Sequence, residues 1–577
     1  MVAEMVTVNF ISYHSGNDNY LSLPEFLSMI TRIAFCILFV LIFFQTTAQT
    51  TTNPLYPVKK TWQEENNRNW YRKDFNQDTI PGIGLERAYS ELLQDKTGDT
   101  ILVAVLDSEI DLEHQDLQHS IWTNVEEVPN NGLDDDKNGY IDDIHGWNFL
   151  GIYNNDKSII YANTDAMRTI RAFRRDSIKN SLVNSVSASE YEVAKTVYQD
   201  YKKEIGNRLK YANSLVQGVD ASIEKLDSVL PDGKLEITAL EKIKETDSIR
   251  SKYADYLLKI LAYDPDIKWV EHFRNTTDSI LKISLDFDYN ERELIGDDPS
   301  DLKNTTYGNS YISQNLHVQT HSTRISTLIA GQTSYEEGVN GMGKVLKILP
   351  VVISPYGDQH NKDIALGIRY AVDNGAKVIN MSFSKTVSYR NDWILDAIRY
   401  ADEHEVVVVT SAGNSNHNLE DKDLFPNDAD KKNVEVAKNF IVVGSTSKKV
   451  DQNFKSTFSS YGKNTVDLFA PGEGIYVTYP YDRYTYDKGT SLSAAFVSGT
   501  AGLLFSYYPK LSASQVKEIL MNSGTSYDIN VQVKQGEDRK VLIPFKELSK
   551  SGKVLNVFNA LKMAEEITSN TPNARRQ

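Results

Sequence analysis

Cysteine is almost missing from this chain: one residue, Cys36, among 577. It lies in the apolar run Ile33–Phe44, so a chain processed beyond that run has no thiol. Disulfides, cysteine nucleophiles and cysteine-ligated zinc are excluded together. Basic charge is also short, with 62 Lys and Arg against 78 Asp and Glu and a net charge of −16. No basic stripe is available to neutralise phosphates, which argues against a nucleic-acid partner. Ile33–Phe44 is the one long apolar run, and it falls short of the roughly 20 residues that a spanning helix needs. Residues 155–295 hold no repeat and no low-complexity tract.

That run has the shape of a secretory signal. A polar lead, Met1 to Glu25, precedes it, and a start at Met29 leaves a short n-region with Arg32, an apolar h-region, and small residues at Thr46 and Ala48. Residues 1–48 are therefore predicted to be a signal region, with the protein exported to the periplasm or beyond. No stable membrane span is expected after cleavage; an uncleaved segment would leave an anchor.

With 40% hydrophobic residues the remainder can build a sizeable core. Ile101–Leu106, Leu346–Ile353, Lys377–Met381, Val406–Thr410 and Phe440–Val443 are β-branched and nearly continuous, as strands buried on both faces are. Asp363–Asp373 and Trp393–His404 are the intervening helices. This alternation predicts an α/β fold, a doubly wound, mostly parallel sheet with helices on both faces and a ligand site beyond the carboxyl ends of the strands. Residues 155–295 differ, being rich in Lys, Glu, Asp, Tyr and Ser. Apolar residues recur at helical spacing in Tyr191–Leu209, Leu235–Ile249 and Tyr253–Leu261, which predicts two to four helices in an inserted α-helical subdomain. The expected organisation is an extension at 49–95, a main domain at 96–154 and 296–565, the insert between its halves, and a tail at 566–577.

Four polar motifs sit at strand ends or helix starts. Asp107 closes the first strand, where a carboxylate is expensive unless partnered. His321, in Thr320-His-Ser-Thr-Arg-Ile-Ser-Thr-Leu-Ile-Ala-Gly331, opens a small-residue helix; His317 is its nearest rival. Asn414 follows the strand Val406–Thr410 in a Gly-Asn turn that can cap backbone groups or present an amide to an oxyanion. Ser491, in Gly489-Thr-Ser-Leu-Ser-Ala-Ala495, stands at a helix mouth, suited to an N-cap or a nucleophile.

Taken in order, these blocks resemble the subtilisin-like serine proteases, the subtilases. Val378-Ile-Asn-Met-Ser382, Phe469-Ala-Pro-Gly472, His114-Gln-Asp-Leu117 and the helix from Phe496 to Tyr508 agree as well. The resemblance covers roughly residues 80 to 150 and 295 to 565. It implies a serine endopeptidase in which Ser491 attacks a peptide carbonyl, His321 is the base, Asp107 orients it, and Asn414 with the Ser491 N–H holds the oxyanion. It also implies that Ser382, Phe383 and Ser384, and Ser411, Ala412 and Gly413, flank a peptide or protein substrate, and that the chemistry needs no cofactor. Some positions depart from the family pattern: Glu109, Ser322, Arg324 and Ser384 replace expected small residues or histidine, and Ala494-Ala-Phe496 replaces Ala-Pro-His. Glu109 is expected to place charge near the triad, and Ser322 to tilt the imidazole if its backbone needs positive φ. These departures leave a second reading, a peptide-binding or scaffold module with impaired chemistry. The separation of 214 positions between Asp107 and His321 is due mostly to the insert.

Asn131 to Asp143 spaces oxygens at alternate positions with a glycine at the turn, as an EF-hand calcium loop does. Asp134, Asp136, Asn138, the Tyr140 carbonyl and Asp142 are the expected ligands of a structural Ca²⁺. The twelfth position is His145 in place of glutamate.

Overall fold

The β-branched runs assemble into one sheet because each is apolar on both faces and can only be covered by helices on both sides. Its strands are β1 Ile101–Asp107, β2 Trp147–Asn148, β3 Leu346–Val352, β4 Val378–Met381, β5 Val407–Ser411, β6 Phe440–Thr446, β7 Leu468–Pro471, β10 Thr525–Ser526 and β13 Lys553–Val554. They lie in the order β10-β13-β7-β6-β5-β4-β1-β3-β2. Every pairing is parallel except that of β10 with β13. Two antiparallel hairpins complete the strands, β8 Glu473–Tyr479 with β9 Arg483–Lys488, and β11 Asn530–Gln535 with β12 Arg539–Pro544. This computed structural model describes residues 68–152, 155–178, 186–231, 235–305, 307–315, 318–536 and 539–570. The predicted signal segment lies outside the described residues. Among those described, no helix is long and apolar enough to cross a membrane.

The helices of ten residues or more are α1 Asp165–Ile178, α2 Ala188–Leu226, α3 Ile237–Thr246, α4 Ser251–Tyr263, α5 Trp269–Ser279, α6 Thr320–Ala330, α7 Asn361–Asp373, α8 Asn391–Glu403, α9 Thr490–Tyr507, α10 Ala513–Ser523 and α11 Val557–Asn570. Helix α9 is the pivot of the core, buried from Thr490 through Ser506. A helix that is apolar or small all round belongs inside. Its glycines are there for close approach: a Cβ on Gly499 would lie 2.3 Å from Met342 Cγ, and one on Gly502 would lie 2.7 Å from Leu346 Cδ2. The segment ahead of β1 also joins this core, with Trp70, Tyr71, Ile83 and Leu85 buried and the Tyr71 ring 4.7 Å from that of Phe496. Helix α11 runs on through residues 566–570.

Residues 155–295 hold more helix than their spacing predicts. Among the described residues they form α1 to α5, a π-helical turn at Ile280–Ser284 and a short helix at Glu291–Leu294. Helix α2 does not stop near Leu209 but continues to Leu226, because its buried stripe changes partner along its length. Ala194 and Ile205 pack with α1 residues Ala166, Met167 and Ile170, whereas Leu215, Val219 and Leu226 close a second apolar cluster with Leu240 of α3 and Leu257 and Ile260 of α4. A capping box between Ser187 and Glu190 starts it.

Charge, not apolar contact alone, docks this region on the sheet. Arg168 of α1 is buried and pairs with Asp165 (2.7 Å) and Glu291 (2.9 Å); Asp165 in turn meets Lys385 at 2.7 Å, directly beyond the predicted substrate segment. Arg292 grips Asp363 at the start of α7 through both Nη atoms, at 2.7 and 2.8 Å. Tyr307 donates to the same carboxylate at 2.7 Å. Lys362 pairs with Asp297, to which Arg292 Nε also donates at 2.6 Å. Removing one partner of such a pair leaves an uncompensated charge inside the protein. Asp363→Ala is therefore expected to lower unfolding stability by about 3–5 kcal/mol in urea titration. Glu86→Ala, at the exposed Lys73–Glu86 pair, is expected to change it by less than about 1 kcal/mol.

Candidate active site

The parallel register delivers the predicted residues to one edge. Asp107 ends β1 opposite Val352 of β3, and Met381 of β4 stands opposite Thr410 of β5. The chain following β4 and β5 therefore emerges beside the end of β1 as residues 382–385 and 412–414. Asp107 is buried, and its carboxylate accepts from the Ser108 N–H at 2.6 Å. His321, second residue of α6, brings Nδ1 to 2.7 and 2.9 Å from the two Asp107 oxygens. Its Nε2 is left for another partner, and the side chain is 43% exposed, so substrate can reach it. Helix α6 is held at its start by Thr323 Oγ1, which donates to the Gln319 carbonyl at 2.7 Å and accepts from the Asp111 N–H at 3.0 Å.

Burial pulls the His321 pKa down, but the adjacent Asp107 charge and hydrogen bond outweigh it, and the net displacement is upward from 6.5. Arg324 opposes that rise and Asp487 adds to it. These two form an ion pair at 2.6 Å, linking α6 to β9.

Ser491 lies at the second position of α9 and is 8% exposed. Its hydroxyl donates to the Ser382 carbonyl at 3.0 Å, and Ser382 Oγ donates both to the Ser491 carbonyl at 3.1 Å and to Asn380 Oδ1 at 2.8 Å. Among the described residues no hydrogen bond joins Ser491 to His321. In unliganded sites the contact between nucleophile and base is commonly long and tightens with substrate.

Asn414 reaches the same helix mouth. Its Oδ1 accepts from the Thr490 N–H and hydroxyl, each at 2.9 Å, so Nδ2 remains as the available donor. A Cβ on Gly489 would lie 3.8 Å from both Asn414 Nδ2 and Ser491 N. Two N–H donors thus flank one small space that glycine leaves open.

Five of the six predicted substrate residues lie just beyond β4 and β5, and Ser411 is the last residue of β5. Ser382, Ser411, Ala412 and Gly413 are buried, Phe383 is half-buried and Ser384 is exposed. Gly413 adopts φ +87, and a Cβ there would meet Leu424 at 2.8 Å and Ser384 Oγ at 3.0 Å. The positive φ favours glycine here, and a larger residue would also press on the Leu424 and Ser384 side chains.

The departures from the family pattern fall differently from their sequence expectation. Glu109 is buried and turned into the loop before α6, accepting from the N–H groups of Gln314 (2.6 Å) and Asn315 (2.5 Å) and from Asn315 Nδ2 (2.7 Å). Ser322 is inside regular helix and has no positive φ, so it imposes no strain on the imidazole. His317 lies outside the described residues.

In the acidic loop, Glu127, Asp134 and Asp136 each offer an oxygen within 4.8 Å of the others. Gly139 makes the turn at φ +96. Asp134 and Asp136 accept from the Asn138 N–H, at 3.0 and 2.9 Å. Asn138 Oδ1 accepts from the Tyr140 N–H at 2.8 Å. Asp142 points elsewhere, its two oxygens accepting from the Asn131 and Gly132 N–H groups at 3.0 and 2.9 Å. Glu127 was not visible in the alternate spacing, since it precedes the loop and returns to it only through folding. It is 5% exposed, and its Oε2 has no partner.

The family model for the subtilase family matches residues 98–541. Over 205 residues the chain is 36% identical to thermitase of Thermoactinomyces vulgaris, covering 35% of this chain and 66% of thermitase. Over 233 residues it is 32% identical to subtilisin DY of Bacillus licheniformis, covering 39% of this chain and 79% of that protein. Over 249 residues it is 31% identical to a cell wall-associated protease of Bacillus subtilis strain 168, covering 42% of this chain but only 26% of that protein. The chain thus spans less than two thirds of thermitase and about a quarter of the cell wall-associated protease.

The Arg324–Asp487 pair makes the site's pH response testable. If His321 is the base that the family resemblance implies, it must be neutral to act, and activity is expected to fall on acidification through its pKa. Arg324→Gln removes a charge that holds this pKa down and is expected to move the acid limb of kcat/KM to higher pH. Asp487→Asn is expected to move it to lower pH, both read from pH–rate profiles.

Proposed function

The chain belongs to the subtilase family, and from that premise we propose that it is an exported serine endopeptidase acting on peptide or protein substrates. The observation that carries this reading is the direct contact of His321 Nδ1 with Asp107 at 2.7 Å. Serine is a weak nucleophile at its own pKa and needs an oriented base. Asp107 holds the imidazole in the tautomer with its proton on Nδ1 and stabilises the imidazolium that forms. As Ser491 Oγ attacks the scissile carbonyl, His321 Nε2 takes its proton and then delivers it to the leaving amine. Asn414 Nδ2 and the Ser491 N–H donate to the oxyanion in the space that Gly489 leaves. Water repeats the attack on the acyl-enzyme and frees the second product. The extended substrate lies along residues 382–384 and 411–413, pairing through its backbone as an added strand does.

The non-catalytic alternative has less support. Glu109 is committed to the loop at 314–315, Ser322 is ordinary helix and Arg324 is paired with Asp487, so none of them obstructs His321. Fluorophosphonate labelling is the test. The wild type is expected to be labelled, and folded Ser491→Ala and His321→Ala variants are expected to lose it. A folded wild type that takes no label overturns the proposal.

A structural Ca²⁺ in the acidic loop is the second part of the proposal. Hard cations of this size take six to eight oxygens. Asp134, Asp136 and Glu127 supply carboxylates, with the unpartnered Glu127 Oε2 among them, and Asn138 and the Tyr140 carbonyl, both expected from sequence, join them. Asp142 closes the loop through backbone N–H groups. Calcium is expected to raise the melting temperature of the wild type and to leave an Asp134→Ala, Asp136→Ala double variant unmoved. An equal rise in both sinks the assignment.

A further inference from the structure

Cations are seldom enclosed in a protein without an anion. The buried Arg168, Arg292, Lys362, Lys385 and Lys517 all follow that rule, each meeting a carboxylate. Lys455 does not. It is 1% exposed, and its Nζ donates to Asn416 Oδ1 at 3.0 Å, the Ser456 carbonyl at 2.9 Å and the Ser459 carbonyl at 2.8 Å. An ammonium has three N–H donors, and all three are used. Among the described residues no carboxylate stands within ion-pair distance of it. Burial lowers its pKa to about 7, against the opposing pull of Glu473. The enclosure is unfavourable in itself, so what it holds in place is informative.

The three acceptors come from two stretches of chain. One is the end of the turn that carries Asn414. The other, 455–461, is fixed to the sheet: Ser445 of β6 donates its N–H to Ser459 Oγ at 2.9 Å, and its hydroxyl meets Ser456 Oγ at 2.8 Å. The two stretches are laced by backbone bonds from Ser460 N to the Gly413 carbonyl (3.0 Å), Asn416 N to the Phe458 carbonyl (2.7 Å) and Tyr461 N to the His417 carbonyl (3.0 Å). Between the Gly413 and Asn416 anchors lie Asn414 and Ser415, both exposed. An exposed turn has no burial to fix it, so its place is set by its ends together with the two bonds that Thr490 gives to Asn414 Oδ1. Asn416 adopts φ +52, and its carboxamide is the side chain tied to the ammonium.

We propose that Lys455 is a positioning residue for the oxyanion site: its ammonium gathers Asn416 Oδ1 and the Ser456 and Ser459 carbonyls, anchors the turn to β6, and so holds Asn414 Nδ2 beside Ser491 N. The inference rests on the oxyanion role proposed for Asn414. Lys455 touches neither substrate nor reacting atoms. It acts through the placement of one amide, and a misplacement of about 1 Å can lower a rate about 10²-fold.

Asn416→Gly tests this with little disturbance, since it deletes the tethered carboxamide while glycine keeps the positive φ. With fluorescein-labelled casein, kcat is expected to fall about tenfold or more with KM changed less than about twofold. In an Asn414→Ala background the same substitution is expected to add less than about twofold, because the amide it positions is gone. Lys455→Met is expected to show the same non-additive loss, checked on protein whose circular dichroism matches the wild type; if it does not fold, the Asn416→Gly pair decides alone. An unchanged kcat in Asn416→Gly, an unchanged kcat in folded Lys455→Met, or an equal loss in both backgrounds overturns the inference while leaving the oxyanion role of Asn414 in place. An Asn414→Ala variant with full kcat overturns that role, and the inference with it.

Discussion

A parallel sheet leaves the carboxyl ends of its strands along one edge, and everything functional in this molecule depends on that constraint. The pairing of β1 with β4, and of β4 with β5, puts Asp107, Ser382 and Asn414 in adjacent loops although roughly three hundred residues separate the first from the last. Helix α9 then enters the same edge and brings Ser491 to it. A helix buried over almost all its length has one depth and one rotation available, because closely packed interiors do not tolerate displacement. Gly499 and Gly502 set that depth by letting Met342 and Leu346 approach. Precision at Ser491 is therefore inherited from core packing.

Buried charge is the second organising element. The helical region between Asp107 and His321 has its own apolar cluster, but it meets the main body through Arg168, Glu291, Arg292, Asp297, Asp363 and Lys385. Desolvation makes such pairs weak contributors to net stability, while their geometry is demanding, since each charge needs its partner in one place. The region thus docks in a single orientation, and Lys385 ties it to the chain directly beyond Ser384. Lengthening a connection costs little extra loop-closure entropy, and this insertion returns the chain to α6 with His321 against Asp107.

The sequence departures at the site acquire meaning only in three dimensions. Glu109 lies two residues from Asp107 in the chain, yet its carboxylate satisfies the N–H groups of Gln314 and Asn315. Arg324 lies three residues from His321, one turn along α6, and pairs with Asp487 of β9. Proximity in sequence said nothing of direction, which is set by the partners that folding supplies. The acidic loop teaches the same point in reverse. Alternate spacing picked out Asp134 and Asp136 correctly as neighbours, but it also included Asp142, which closes the loop, and omitted Glu127, which joins the cluster from an earlier turn.

The chain order of Asp107, His321, Asn414 and Ser491, the β-branched runs and the small-residue helix were enough to determine the α/β class and the family, because buried strands and close-packed helices leave periodic and compositional traces along the chain. They also identified the elements on which each polar group sits. Which groups touch was decided by the tertiary structure alone. The contact between His321 and Asp107, the convergence of Asn414 and Ser491 on the space at Gly489, the carboxylate-free enclosure of Lys455 and the continuous 39-residue helix Ala188–Leu226 are all products of long-range packing. Hydrogen bonds and desolvation act over a few ångströms between residues here hundreds of positions apart in the chain, and no local pattern records them.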